Sequence, residues 1–263
     1  MAMTKYGSPL PDFMAERSRL LDALALPENQ HLIMRLVGAL AFRTRCSNFG
    51  YLQDRLGRVF TDIDFAAYSR QKVDVMRLLT DLGYEEDTWV SRLFGDQRLV
   101  YHDHANQRHI DVFFDQMKFS HTLPLQGRLE ADTLTLPLAE LLLQKMQIVR
   151  LNEKDLIDTF MLLREHPAGE TDAGHINTRI VAGLCAKDWG WWRTVTMNLQ
   201  KVQDYLSHYD QLADEDCRVI RERVGQLRAA IEAAPKSLAW KARSMIGDRV
   251  KWYEEVEELA HRT

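Results

Sequence analysis

Val59-Phe60-Thr61-Asp62-Ile63-Asp64-Phe65-Ala66 reads as a β-strand with acids set into it. Successive side chains of a strand turn to opposite faces, so Ile63 and Phe65 share the core face. Asp62 and Asp64 then share the other, about 7 Å apart along the backbone. A second strand is expected at His109-Ile110-Asp111-Val112-Phe113-Phe114, where Asp111 lies between two apolar residues and also points away from the apolar side. If the two strands are neighbours, three carboxylates converge.

The flanking sequence supplies further strands and helices. Leu36-Val37-Gly38-Ala39-Leu40-Ala41-Phe42 is apolar with small residues at its centre, as a buried strand turning into a helix would be. Arg98–His102 reads as a further strand, joined to the Asp111 strand through the polar hairpin loop His104-Ala105-Asn106-Gln107. Gln71–Leu82 is an amphipathic helix, with Val75, Met76, Leu79 and Leu82 on one stripe and Gly83 at the C-cap. Helices are also expected over about 12–25 and 28–36.

From Pro137 onward the periodicity is helical. One helix runs to Arg150, and a second, N-capped by Asn152, runs to about Arg164. Residues 167–174 are polar, contain Gly169 and Gly174, and are the linker candidate. Helices then cover about 175–186, 189–207, 214–233 and 237–260. Strands followed by a run of helices point to an α+β chain. Its expected parts are an α/β core over 1–135 and a helical C-terminal region over 136–263.

Composition limits the function classes. The chain has 263 residues, 46% hydrophobic and 27% charged, which excludes wholesale disorder. A net charge of −4 argues against a generally basic nucleic-acid binder. Cys46, Cys185 and Cys217 are far apart and form no CxxC pair, which fits a reducing compartment. Met1 to Glu16 lacks the apolar core of a signal peptide, and no stretch is apolar for the length of a membrane span. The expectation is a soluble, cytoplasmic protein with no membrane partner.

Three facing carboxylates repel one another and favour protonation unless a cation sits among them. Mg²⁺, a hard ion, takes oxygen ligands from a few carboxylates and from substrate phosphates. Two such ions clamp the attacking and leaving oxygens of an in-line displacement. The pattern therefore suits phosphoryl or nucleotidyl transfer.

In order, Gly38-Ala39 at a strand–helix turn, Asp62-Ile63-Asp64, and Ile110-Asp111-Val112 resemble the nucleotidyltransferase superfamily of polymerase-beta-like fold. Its pattern is a Gly-Gly or Gly-Ser turn, a D-x-D/E strand and a third acid on a following strand. Lys145 on a helix, followed by Lys154-Asp155-Leu156-Ile157-Asp158, is similar to the AbiEii-type branch, which includes toxin-like members of toxin–antitoxin pairs. The resemblance covers roughly residues 30 to 165. It implies a nucleotidyltransferase-like mixed sheet flanked by helices and a Mg²⁺-dependent enzyme, with two ions and Mn²⁺ as a possible substitute. Such an enzyme moves a nucleoside monophosphate from a triphosphate to an acceptor hydroxyl on RNA, tRNA, protein or a small molecule.

On that resemblance, Asp62, Asp64 and Asp111 would be the catalytic metal ligands. Gly38 and Ala39 would admit a phosphate to backbone N–H groups, Lys145 would contact the triphosphate, and Asp155 and Asp158 would lie near the nucleotide or order Lys145. Two features depart from the pattern. Ala39 stands where the family often has Ser or Gly, and 22 residues separate Ala39 from Asp62. That interval holds Arg43, Arg45, Arg55 and Arg58, which would add positive charge. The departures motivate a second reading, a non-catalytic nucleotide- or RNA-binding relative of the same fold.

Other residues carry simpler readings. His102, His104 and His109 fit a polar hairpin better than zinc, which needs a closed set of three or four ligands. Trp189, Trp191 and Trp192 read as helix-packing anchors, with base stacking as the rival. Arg218 to Arg228 is a candidate basic patch on an otherwise mixed-charge helix.

Overall fold

Strand pairing, more than local periodicity, decides where the elements of the N-terminal part begin and end. The computed structural model describes residues 10–256. The chain divides into two compact units: residues 1–117 with 124–137, and residues 118–123 with 138–263.

Unit 1 holds a five-stranded mixed sheet. In chain order its elements are α1 (Leu10–Ala25), β1 (Met34–Val37), α2 (Gly38–Arg45), α3 (Tyr51–Arg55), β2 (Ile63–Ala67), α4 (Lys72–Asp81), β3 (Glu85–Glu86), α5 (Thr88–Phe94), β4 (Arg98–Asp103) and β5 (Arg108–Phe114). The strand order is β1-β2-β5-β4-β3. Only the central β2–β5 pair is parallel; its neighbours are antiparallel. The expected hairpin is present: Asp103 pairs with Arg108 across a loop in which Gln107 takes a positive φ of 54°.

One face of the sheet is apolar. Ile63, Phe65, Ile110, Val112, Leu99 and Tyr101 are all fully buried there, and each such side chain contributes about 1.5–3 kcal/mol of transfer free energy. α2 packs against β1 and β2. The other face carries the polar set: Asp64, Asp111, Arg98, His102 and His109.

Two expectations change. Residues 28–36 do not form a helix; a single 3-10 turn spans Pro27–Asn29, and β1 starts at Met34. β1 is satisfied on both edges, by β2 on one and on the other by Leu36 N–H to the Leu134 carbonyl at 2.9 Å and Leu136 N–H to the Leu36 carbonyl at 3.0 Å. The apolar residues Leu32, Ile33, Met34 and Leu36 do not outweigh that ladder in favour of a helix. β2 begins at Ile63, not Val59, because its partners start at Ile110 and end at Val37.

Unit 2 is almost wholly helical: α6 (Leu138–Met146), α7 (Glu153–Glu165), α8 (Thr178–Lys187), α9 (Trp189–Tyr205), α10 (Asp214–Ala233) and α11 (Leu238–Ile246). Side-chain caps start four of them, from Asn152, Asn177, Asp188 and Ser237. The core includes Leu142, Phe160, Val181, Val195, Leu199, Ile220 and Leu227. Residues 167–174, the linker candidate, lie inside this unit, where Ala168–Gly169 pairs with Ile176–Asn177. The helix expected over 237–260 stops at Ile246, where Gly247 takes a φ of +59°; beyond residue 256 it falls outside the described residues.

Trp189, Trp191 and Trp192 are packing anchors. Trp189 meets Trp252 edge-on at 5.9 Å and Trp192 meets Trp240 at 5.3 Å, and the Trp192 indole N–H donates to Glu232. The cysteines are free thiols, two of them buried, and burial pushes Cys185 up to about 12. No helix among the described residues is long and apolar enough to cross a membrane.

His121 gives unit 2 a pH dependence. Burial pulls its pKa down from 6.5 to about 4, against opposing attraction from Asp188 and Glu254. Thr194 Oγ1 accepts the Trp252 indole N–H at 3.0 Å, so its own hydrogen is available to His121 Nε2 at 2.8 Å. That bond needs a neutral ring. The unfolded chain binds this proton from pH 6.5 downward and the folded chain only near pH 4, so stability is full above 6.5 and falls between 6.5 and 4. His121→Gln is expected to flatten this slope in urea unfolding followed across that window; an unchanged slope would exclude His121 as its source.

Candidate functional site

Asp64 is held at the start of a helix by the geometry of one glycine. The chain leaves β1 at Val37 and enters α2 at Gly38, whose φ is +64°. An L side chain is strained there. The space is also taken: a Cβ on Gly38 would sit 2.0 Å from Asp64 Oδ2. The Asp64 carboxylate thus rests on bare backbone at the positive end of α2, where the helix dipole favours an anion.

This pairing of strain and collision is separable by experiment. Gly57 also has positive φ, +72°, but nothing lies within 4 Å of its would-be Cβ. Gly57→Ala is expected to lose about 1–2 kcal/mol, the left-handed backbone term alone. Gly38→Ala is expected to lose clearly more, by urea unfolding, because Asp64 must also move. Equal losses would mean the contact carries no weight.

The sheet brings a second acid alongside. Asp64 and Asp111 are register partners on the parallel strands β2 and β5, so their side chains leave the same face from strands about 4.8 Å apart. Asp111 is buried and engaged. Arg98 Nε donates to its Oδ1 at 3.2 Å and Nη2 to its Oδ2 at 2.6 Å. The Arg98 guanidinium also lies over the Phe113 ring, 5.3 Å from its centroid. Asp62 lies half-buried just before β2, outside the ladder.

The expected convergence of three carboxylates is therefore partial. Among the described residues, no group of three or more His, Cys, Asp or Glu side chains is placed to hold a metal ion. Oxygen donors of the right kind for Mg²⁺ are present at Asp62, Asp64 and Asp111, and Arg98 now neutralises the last of them. Arg98 was not singled out from the sequence, although the hairpin register contains the signal. With Asp103 opposite Arg108, Val100 falls opposite Asp111 and Arg98 lies two residues further on the same face.

Of the remaining candidates, Ala39 is buried on α2 and its carbonyl accepts from Gln53 at 3.4 Å. Arg43 donates to the Gly50 carbonyl and to Asp54, and Arg45 pairs with Asp132 at 2.9 Å. Arg55 covers the Tyr51 ring and Arg58 the Phe60 ring. His102 and His109 pair across the hairpin, and His102 and His104 contact Asp87 and Glu85 at 3.3 and 3.6 Å.

Lys145, Asp155 and Asp158 belong to unit 2 and do come together. The Lys145 ammonium lies 3.0 Å from Asp155 Oδ1 and 3.0 Å from Asp158 Oδ2. Asp155 has a second task. It closes a capping box with Asn152 at the start of α7, each side chain taking the other's backbone N–H. The i, i+3 spacing that puts Asp155 and Asp158 on one face of α7 is what lets both reach one ammonium.

Comparison with known proteins finds no matching family model, no similar curated protein and no similar solved structure.

Proposed function

We propose that the chain is a Mg²⁺-dependent nucleotidyltransferase that moves a nucleoside monophosphate from a triphosphate to an acceptor hydroxyl. One observation carries this reading: a glycine of positive φ opens α2 directly against Asp64, which stands in register with Asp111 on the neighbouring parallel strand. A polar sheet face with oxygen ligands beside a helix start suits a metal–triphosphate complex better than it suits a neutral substrate. Asp62, Asp64 and Asp111 would hold the metal, which supplies charge neutralisation at the phosphates. Gly38 gives close access to the first amides of α2, and Arg98 orients Asp111. Catalysis by such a site is mainly positioning and electrostatics. The finer fold assignment, a nucleotidyltransferase-like sheet, belongs to the same proposal.

Arg98 favours a second reading. Its two-point grip on Asp111 neutralises that acid without a cation, as a nucleotide- or RNA-binding relative with no turnover would need. The test is transfer of label from α-³²P nucleoside triphosphates with Mg²⁺ to tRNA, protein or small hydroxyl acceptors. Label on an acceptor supports the enzyme; Mg²⁺-independent binding with no labelled product supports the relative. If Mg²⁺ competes with Arg98 for Asp111, Arg98→Gln is expected to lower the Mg²⁺ concentration for half-maximal nucleotide binding several-fold. An unchanged or raised midpoint would make Arg98 a neutral bystander or a helper of the metal.

A further inference from the structure

The first turn of α7 borders a cavity that the proposed transferase chemistry does not use. It has a volume of about 400 Å³, within the range of small-molecule sites, and lies inside unit 2. Its lining combines four kinds of group. Lys201, on α9, supplies a cation whose Nζ donates to the Val149 carbonyl at 3.1 Å. Tyr205 and His208 place their rings 5.0 Å apart and 31° from parallel, and Tyr205 is 45% exposed. Glu153, the first residue of α7, faces the same space, accepting from the Tyr209 hydroxyl at 3.4 Å, while Leu156 adds apolar floor.

We propose that this cavity is a binding site for a guanine nucleotide unit, either free guanosine monophosphate or one nucleotide of a single-stranded RNA. The phosphate goes to Lys201, a compact charge suited to phosphate. The base stacks on Tyr205, as bases do on exposed aromatic rings. The Glu153 carboxylate, an acceptor only, takes the N1–H and N2–H donors that guanine presents along one edge. Burial lowers the Lys201 pKa from its usual value, so a phosphate that meets the ammonium offsets the solvation the fold has removed from it.

A consequence follows for the clamp on Lys145. Glu153 and Leu156 border the cavity, and Asp155 and Asp158 of the same helix hold Lys145. A ligand seated in the cavity therefore fixes the start of the helix that positions that ammonium. The inference does not depend on the Asp64 site, because it requires no metal.

The test is calorimetric titration of the full chain in EDTA with guanosine monophosphate, with a short single-stranded RNA containing one G, and with inorganic phosphate. One mononucleotide site is expected. Lys201→Met and Tyr205→Ala should each weaken guanosine monophosphate at least about tenfold. Glu153→Gln should weaken it while leaving phosphate unchanged. Preference for the RNA over the mononucleotide would identify a strand as the source of the nucleotide. Circular dichroism shows which variants fold, and Tyr205→Ala, at an exposed ring, keeps the test intact if Lys201→Met does not. No binding by the wild-type chain, or binding unaffected by Tyr205→Ala and Glu153→Gln, would overturn the proposal.

Discussion

Asp64→Asn is expected to lower Mg²⁺-dependent nucleotide binding and any transfer activity by about 10²–10³-fold, the scale of one electrostatic contact at a transition state. The same substitution should shift the unfolding midpoint only slightly. Asn has nearly the size of Asp, so the fit against Gly38 survives, where a Cβ would stand only 2.0 Å from the carboxylate oxygen. The variant also removes one of two negative charges that leave the same sheet face in register. Arg98 already offsets the Asp111 charge and the start of α2 favours an anion at position 64, so the relief and the loss brought by a neutral amide oppose each other. Function therefore falls steeply while stability stays nearly constant, which separates a ligand role from a structural one. Nucleotide titration with and without Mg²⁺, beside urea unfolding of the same samples, reads both. If Asp64→Asn binds nucleotide as the wild type does, the metal–phosphate reading of this face is wrong.

Lys145→Met is expected to destabilise unit 2 by about 3–5 kcal/mol, the loss usual when one partner of a buried ion pair is removed. Two carboxylates meet this one ammonium, both at 3.0 Å, and Asp158 is fully buried. Asp158 sits on the inward side of α7, where water cannot replace the lost charge. Asp158→Asn added to Lys145→Met should recover most of the loss, because an amide carries no charge to desolvate. Asp155→Asn should recover less, since Asp155 is also held by the Asn152 capping box. The cycle is read from urea unfolding of the four proteins. A small loss in Lys145→Met, with no recovery in the double variant, would mean that the ammonium is held for a ligand and adds little to the fold.

Much of the sheet was legible because it is written in period two. Ile63 and Phe65, Ile110 and Val112, and Leu99 and Tyr101 are apolar at alternate positions, and all are buried on one face. Asp64 and Asp111 were readable as outward-facing for the same reason. The turn at Gly38 and the cap at Asn152 were also visible, since each relies on a residue type with a specific backbone or hydrogen-bonding property. Met34–Val37 was legible only at its end, where Leu36-Val37 reads as a buried strand entering a helix. Met34 and Arg35 fell within the helix expected over 28–36, and the long-range ladders to β2 and to residues 134–136 make them part of the strand.

Taken alone, the sequence determined local conformation: which faces are apolar, where helices start, and which acids point outward, because these depend on side-chain periodicity and on groups a few residues apart. Tertiary structure decided the partners. That Asp64 lies against Gly38, that Arg98 grips Asp111, and that Lys145 joins Asp155 and Asp158 are facts of strand register and helix packing. A charge is indifferent to sequence distance and responds only to what stands within a few ångströms of it, and folding alone sets that distance.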